Sequence, residues 1–568
     1  MTGDGSATGV VVEPGAVRPR LRPHLRPGVA VTPLREGLHL RGRGTGLTLE
    51  GSRALPELWK LLAARLAPGP EAAEPVTEPK VAAALATVTA RLREHDLIVD
   101  HPAGARLPDW PGAVADEPGV AAAALAAARP VVAAADPDGP LGRAVAQALA
   151  AGGTAAPTVV AEPGLPPGRV VASAGEPPVA VAVQCGTDGG FVTEPADPGR
   201  ARADATALAA RLGSDPGTVR AVSALPVLLA AAAAQRLLCA VAGLPDPGEP
   251  GDDPRLLGGR PAVLLAEARP PRAEHHPWAA GPGPVAAPPG DLAEALRRVT
   301  ALGDARLGVL DAPSPGGLPQ LPAALVSCGT PTGTLVAGAA RTDLARLAAA
   351  CRSAELHLAA VDGGTAPVVG ADPDHALGRA LRRAALARAV PTGPALPEAV
   401  WREHPQAAHW WETLARCLGR SPELTVRQFT DARVFQAEVE GARALEATPA
   451  DAVAHAALAA LTRLLARSSG LTAAHHTALT GAAAPLAAAG RHPAAWTDEG
   501  WTDRWLAELA DHEADLRADL GRLTGLRTTP WRPATPAARA FAGALDGCGF
   551  TALVPAPGPA SVSAGDAR

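Results

Sequence analysis

Few side chains in this 568-residue chain are spaced for chemistry. The run Ala135-Asp-Pro-Asp-Gly-Pro-Leu-Gly142 closes a strand-like segment and opens a helical one. That is where a glycine-rich loop would cradle a phosphate. In register with G-x-G-x-x-G, Gly139 and Gly142 fill the second and third positions, but Pro137 takes the first. Proline fixes φ and has no N–H to offer, so the loop reads as a relic that keeps the fold. The only lysines, Lys60 and Lys80, sit in Leu-Trp-Lys-Leu and Pro-Lys-Val, which excludes a Walker A loop. Six cysteines (185, 239, 328, 351, 417, 548) form no C-x-x-C pair, and no H-E-x-x-H occurs. Glu274-His-His-Pro-Trp278 and His475-His476 place imidazoles side by side, where they chelate one ion poorly. All four read as surface histidines. Trp401, Trp410 and Trp411, beside His404, His409 and Glu412, could anchor a ligand but read better as a local core. Pro555-Ala-Pro-Gly-Pro559 is a weak pattern in a chain with 60 prolines. No G-x-S-x-G elbow or Ser/His/Asp set is visible. The sequence therefore assigns no catalytic residue, no metal ligand and no cofactor site.

The elements that would position any site follow from composition and period. Hydrophobic residues are 47% and charged residues 19%, a globular balance. Net charge is −5, which disfavours nucleic acid and anionic membrane as partners. The absence of Tyr and Asn, with one Ile, one Met and two Lys, marks a high-GC coding bias. The N-terminus lacks a signal-peptide pattern. The most apolar run, Ala224 to Leu244, contains Pro226, Gln235 and Arg236 and reads as a buried helix rather than a span. The expectation is a cytoplasmic protein.

Residues 1–27 are polar and rich in Pro and Arg, and are expected to be a flexible lead-in. Three short β-like runs follow at 28–34, 37–41 and 46–50, with turns at Glu36-Gly37 and Gly44-Thr-Gly46. The period then becomes helical at Leu55–Leu66 and again at 79–94, where Val81, Leu85, Val88 and Leu92 share a face. Leu97-Ile-Val99 reads as a last strand, giving a winged-helix-like module over 28–101. Residues 119–290 alternate strands and helices, as an α/β sheet requires, and 245–290 is again Pro/Gly-rich. Residues 291–395 read as a further α/β region with a strand at Arg306–Leu310. Residues 396–568 read as mostly helical. Ala135-Asp-Pro-Asp138 with Leu141-Gly-Arg-Ala144 recurs as Ala371-Asp-Pro-Asp374 with Leu377-Gly-Arg-Ala380. Helix-start preferences for Asp and Pro explain that echo better than duplication.

The residues Leu21-Arg-Pro-His-Leu-Arg-Pro-Gly28, Val31-Thr-Pro-Leu34, Glu36-Gly-Leu38, Leu49-Glu-Gly51 and Leu58–Leu66 resemble the start of azole-peptide maturation proteins. These are the ThiF-like, leader-binding partners of YcaO cyclodehydratases, which serve thiazole- and oxazole-modified peptides including thiopeptides. Ala230 to Leu244, Asp304-Ala-Arg-Leu-Gly-Val-Leu310 and Leu318-Pro-Gln-Leu-Pro322 are similar to later parts of that family. The resemblance spans roughly residues 20–395. It implies a winged-helix peptide recognition element at 28–101, a degenerate ThiF-like domain at 119–290, and a region at 291–395 faintly like YcaO. It also implies two partners, a precursor peptide and a YcaO cyclodehydratase, and leaves room for a homodimer. The sequence departs from relatives that bind zinc through C-x-x-C pairs. In the 371–389 segment, Arg382 or Arg383 stands at an acidic ATP-contacting position.

A peptide can add as a strand to an open sheet edge beside a helix. The expected docking residues are Gly46, Leu47, Thr48, Leu49 and Glu50 on the edge, with Lys80, Ala84, Thr87 and Arg91 on the helical wall. Two other functions stay open at this stage. One is an ATP-dependent adenylating or YcaO-type cyclodehydratase. The other is a winged-helix regulator, against which the weakly basic 79–94 helix argues.

Overall fold

The computed structural model describes residues 21–67, 77–102, 109–213, 224–249, 251, 253–364, 366–430, 432–490 and 501–556. It is a mixed α/β protein of several sheets. The chain clusters into two compact units. One comprises Met1–Thr187, Pro195–Ala201 and Pro216–Pro247; the other comprises Asp188–Glu194, Arg202–Asp215 and Gly248–Arg568.

In the first unit, β1 (Leu21–Leu25), β2 (Ala30–Leu34), β3 (Gly37–Arg41), β4 (Gly46–Glu50), α1 (Leu55–Leu66), α2 (Pro79–Glu94) and β5 (Ile98–Pro102) build a small module. β2, β3 and β4 form an antiparallel meander in that order. Leu38, Leu40 and Leu47 from the sheet pack with Leu62 and Leu66 of α1 and Leu85, Val88 and Leu92 of α2. Period two in the strands and 3.6 in the helices bring these leucines to one core. Pro79 opens α2, and Asp96, at φ 51°, turns the chain into β5. The β3–β4 turn lies against this exit. A Cβ on Gly42 would fall 2.7 Å from the Leu97 side chain, and Thr45 Oγ1 donates to the His95 carbonyl at 2.5 Å.

Of the expected lead-in of 1–27, residues 1–20 lie outside the described residues, and residues 21–27 need correction. β1 pairs antiparallel with β5, from Leu21↔Pro102 to Leu25↔Ile98. Its proline and charges hid it, because proline is tolerated where no ladder donor is needed. Arg26 follows and is buried. Its guanidinium donates to Asp96 Oδ1 at 2.6 and 3.1 Å, to the Ala115 carbonyl at 2.7 Å and to the Gly112 carbonyl at 3.1 Å.

The chain continues through α3 (Asp109–Val114), α4 (Pro118–Ala127), β6 (Val131–Ala134), α5 (Pro140–Ala151), β7 (Thr158–Ala161), β8 (Arg169–Ala174), β9 (Val179–Cys185), β10 (Gly189–Val192), α6 (Pro198–Leu212) and α7 (Leu225–Val241). In the first unit, β6 and β7 are parallel with α5 as the crossover, while β8 and β9 add antiparallel. One βαβ unit is thus present. The apolar run read as a buried helix is α7, which packs on α5 and β9.

The second unit adds β11 (Ala262–Ala268), β12 (Pro271–Pro277), α8 (Leu292–Leu302), β13 (Ala324–Thr330), β14 (Gly333–Ala339), α9 (Thr342–Asp362), β15 (Val368–Gly370), α10 (Pro373–Arg388), α11 (Pro405–Leu418), β16 (Leu424–Gln428), β17 (Phe435–Val439), β18 (Ala442–Glu446), α12 (Pro449–Ser468), β19 (His475–Ala478), α13 (Ala484–Ala489), α14 (Trp501–Thr524), β20 (Thr528–Pro530), α15 (Pro536–Gly547) and β21 (Thr551–Pro555). Its sheets run β10-β11-β12, β13-β14-β19, β16-β17-β18 and β15-β21-β20. The Pro/Gly-rich residues 245–290 contain β11 and β12, and residues 396–568, mostly helical, also contain β16 to β21. One expectation is corrected: Arg306–Leu310 is a turn, not a strand. There Asp304 Oδ1 accepts from the Arg306 and Leu307 N–H groups, and its carbonyl accepts from Gly308. Among the described residues no helix is long and apolar enough to cross a membrane.

The β1–β5 ribbon also carries a testable electrostatic feature. His24 and His101 are both buried, their rings 5.8 Å apart, and among the described residues neither nitrogen of His24 has a partner. Burial first, then His101 and Arg22, hold the His24 imidazolium below its usual pKa, against an opposing pull from Asp100. The unfolded chain therefore takes up the proton first, so the stabilising effect of neutral His24 is present above about pH 6.5 and is lost as pH falls. Amide exchange in β1 and β5 should accelerate relative to β3 between about pH 7 and pH 5, at a slope of up to ~1.4 kcal/mol per pH unit for one proton. His24→Leu should remove that dependence.

Candidate functional site

The hydrogen-bond phase of β4 can be read from its two ends. Gly42 N–H donates to the Thr45 carbonyl at 2.8 Å, and Gly51 N–H donates to the Glu36 carbonyl at 3.2 Å. In an antiparallel ladder, bonded and non-bonded pairs alternate. With Leu40 opposite Leu47, His39 opposite Thr48 and Leu38 opposite Leu49, the peptide groups of Leu47 and Leu49 bond to β3. Those of Gly46, Thr48 and Glu50 point the other way. β4 ends the sheet, so among the described residues these three offer an open row of donors and acceptors. The side chains alternate as well. Leu47 and Leu49 turn to the core, while Gly46, Thr48 and Glu50 are exposed. His39 Nδ1 and Thr48 Oγ1 are 2.9 Å apart across the outer face.

Lys80, Ala84, Thr87 and Arg91 form one stripe of α2. Lys80, Thr87 and Arg91 are exposed and Ala84 is half-buried. Arg91 pairs with Glu94 at 2.8 Å, and Thr87 Oγ1 donates to the Ala83 carbonyl. β4 and α2 meet through shared core leucines. Among the described residues no hydrogen bond or ion pair joins β4 to Lys80, Thr87 or Arg91. Sequence reasoning missed the opposite flank. Ala82, Ala86, Thr89 and Arg93 lie two residues on, about 200° round the helix. With Pro23, Leu62 and Leu66 they line a cleft of about 580 Å³.

The loop before α5 holds its own anion. Asp138 N–H donates to Asp136 Oδ1 at 3.0 Å, and Gly139 N–H donates to the Asp136 carbonyl at 3.1 Å. A carboxylate thus takes an N–H that a phosphate would need, and two negative charges flank the helix start.

The second unit carries two buried charge clusters that no local motif announces. Arg382 donates to Glu513 Oε1 at 2.7 Å and Oε2 at 2.6 Å, and to Glu446 Oε2 at 2.7 Å; all three are buried. Glu446 also accepts the Gly481 N–H at 3.0 Å and lies 3.6 Å from His455 Nδ1. Glu355, fully buried, pairs with Arg352, Arg379 and Arg383. Burial alone would raise the Glu355 carboxyl, but Arg379 and Arg383 pull it below the usual range. These carboxylates are taken up by guanidiniums of the same chain, which leaves them no free charge for a cation.

The remaining sequence candidates find other roles. His276 is held 2.9 Å from Asp304, and His475 is 2.7 Å from Thr332 Oγ1. His476 is largely buried, with its pKa down to about 4. The surface reading is therefore corrected for these three: β12 and β19 are edge strands, but all three rings are partly buried against neighbouring residues. Trp401, Trp410 and Trp411 are buried in the core of the unit. Burial pushes the Cys185, Cys328 and Cys548 thiols up to about 11 and Cys351 to about 12. Pro557-Gly-Pro559 lies outside the described residues. Among the described residues no group of three His, Cys, Asp or Glu is disposed to hold a metal.

No family model matches the sequence, and no curated protein matches it. Among solved structures, a heterocyclase in complex with substrate and cofactor aligns with 94% of this chain and 94% of its own, at 10% identity and a TM-score of 0.46. The heterocyclase TruD aligns over the same shares, at 12% identity and a TM-score of 0.41.

The Arg382 cluster predicts a sharp stability effect. Removing one partner strands buried charge, which costs about 3–5 kcal/mol. Arg382→Met should therefore lower the denaturant midpoint of the second unit strongly. Arg91→Met, which breaks an exposed pair, should change stability by no more than ~1 kcal/mol.

Proposed function

We propose that the chain binds the leader of a ribosomally made precursor peptide along β4. In this reading it presents the peptide to a separate YcaO cyclodehydratase for thiazole or oxazole(line) formation, as in thiopeptide-type maturation. The observation that carries the reading is the open row of peptide groups at Gly46, Thr48 and Glu50. A leader added there gains main-chain hydrogen bonds, and alternate side chains face α2. Leu47, Leu49, Lys80, Ala84, Thr87 and Arg91 are the proposed remainder of the docking surface, with the two cations favouring an acidic segment. Further support comes from the winged-helix-like arrangement of two helices and a three-stranded meander, and from the resemblance of residues 20–395 to leader-binding partners.

A non-catalytic role for the rest of the chain fits the same picture. The degenerate ThiF-like domain has one βαβ unit, whose loop carries Pro137 and a self-satisfied Asp136. At 371–389, the position that would contact ATP is Arg382 or Arg383; the first is held by Glu446 and Glu513 and the second by Glu355. The region is then retained for its surface, and docks the cyclodehydratase so that the peptide arrives at high effective concentration, a gain of up to ~10²–10⁴-fold.

Two outcomes test the reading. Thr48→Pro removes a donor aimed at the peptide and leaves the β3 ladder intact. It should weaken leader binding, measured by fluorescence anisotropy, at least ~10-fold, the equivalent of about one charge-free hydrogen bond. Unchanged affinity would sink the β4 assignment. In reconstitution, precursor plus YcaO enzyme should form azoles slowly until the full chain is added. Equal rates without it would remove the presenting role.

A further inference from the structure

We propose that a cleft between α15, β21 and the segment 530–533 binds a small zwitterion of about dipeptide length. The cleft has a volume of about 290 Å³, near the lower end for small-molecule sites. Pro530, Trp531, Pro533 and Leu545 give it apolar walls, and Arg539 and Asp546 supply its two charges. Its walls are fixed from behind. Trp531 N–H donates to the Ala552 carbonyl at 2.9 Å, and the indole packs on the core of the second unit. The turn into α15 is tied to the end of α9. Ala534 N–H donates to Asp362 Oδ1 at 2.9 Å, and Thr535 Oγ1 donates to the Val361 carbonyl at 3.0 Å.

The two charges have no structural task. Arg539 stands in the first turn of α15 and Asp546 in its last. A helix dipole favours the reverse, an anion at the N-terminus and a cation at the C-terminus. Among the described residues neither side chain has an ion-pair or hydrogen-bond partner. Burial alone acts on the Asp546 carboxyl and raises it, with no cation pulling the other way. Seven residues are nearly two full turns, so both charges lie on one side of the helix, with Cα atoms about 10 Å apart. No ion pair joins them. A ligand that carries both charges satisfies both. Its ammonium meets Asp546, and its carboxylate accepts from the planar fork of Arg539. Trp531 offers a flat apolar wall to the body between them. The spacing selects the length. Both side chains reach inward, so the gap between the charges is shorter than that between the Cα atoms. An extended dipeptide spans about 7 Å at ~3.5 Å per residue. A single amino acid, at half that, does not reach both.

The test is calorimetric titration of the full chain with glycyl-leucine. N-acetyl-glycyl-leucine lacks the ammonium, glycyl-leucinamide lacks the carboxylate, and leucine is the short zwitterion. Glycyl-leucine should bind saturably, and the other three at least ~5-fold more weakly, as loss of a charge-assisted bond requires. Arg539→Gln should erase the preference over the amide and keep the preference over the acetyl form. Asp546→Asn should do the opposite. At Gly543, which lines the cleft, an added Cβ meets nothing within 4 Å. Gly543→Leu should therefore fill the cleft and abolish binding, while the better helix former holds the unfolding midpoint. Arg532→Gln removes an exposed cation that does not line the cleft and should leave binding intact. Absence of saturable binding, equal binding of the blocked forms, unchanged preferences in the two charge variants, full binding by Gly543→Leu, or equal loss in Arg532→Gln would each overturn the site. Should Gly543→Leu lower the unfolding midpoint, the preferences of the Arg539 and Asp546 variants decide the matter.

Discussion

A guanidinium cannot be taken out of water alone, and Arg382 is taken out almost completely. Its burial sets conditions that several elements of the second unit meet together. α14 must bring Glu513 within reach, β18 must end on Glu446, and the turn at Gly481 must turn an N–H toward the same carboxylate. α10 must also come close to α14, and this is why Gly378 stands there: a Cβ would fall 2.6 Å from Glu513 Oε1. The cluster is therefore less a source of net stability than a specification of how α10, β18 and α14 are arranged, since a buried ionic triad tolerates few alternatives.

The same region explains the echo between Leu141-Gly-Arg-Ala144 and Leu377-Gly-Arg-Ala380. Asp372 caps α10 by accepting the His375 N–H at 2.7 Å. In the earlier copy Asp136 instead closes the loop on Asp138, and Gly139 is the N-cap, with no side-chain bond. Gly142 faces Ala134 of β6, whereas Gly378 makes room for a carboxylate. Similar words thus serve different local geometries, and helix-start chemistry is the common element.

What was legible in the sequence is what depends on short-range period. β3, β4, α1 and α2 have the bounds their alternation or 3.6-residue spacing predicts, and the core leucines of the first module were visible as stripes. β1 was not, because Leu-Arg-Pro-His-Leu shows no alternation and its partner strand lies more than seventy residues away, from Leu25↔Ile98 to Leu21↔Pro102. Arg306–Leu310 has strand-like composition, but the Asp304 side chain captures its first N–H groups and bends it into a turn. The C-terminal strands were hidden by an alanine-rich background that favours helix. The open edge strand could be named by residue, whereas which of its peptide groups face outward needed the bonds at Gly42 and Gly51. Arg382, Glu446 and Glu513 were illegible as a set, since a pairing across 64 and 131 positions leaves no local mark.

The brevity of β4 has a consequence for information. Five residues at ~3.4 Å each give a track of about 17 Å, closed at its far end by Gly51, whose φ of 103° turns the chain away. A strand laid along it is inspected over a stretch of comparable length and no further. In the proposed reading, the module reads one short word and is blind to the remainder of the text. Peptide sequence beyond that word could then vary without altering recognition, so one reader would serve many messages that share it.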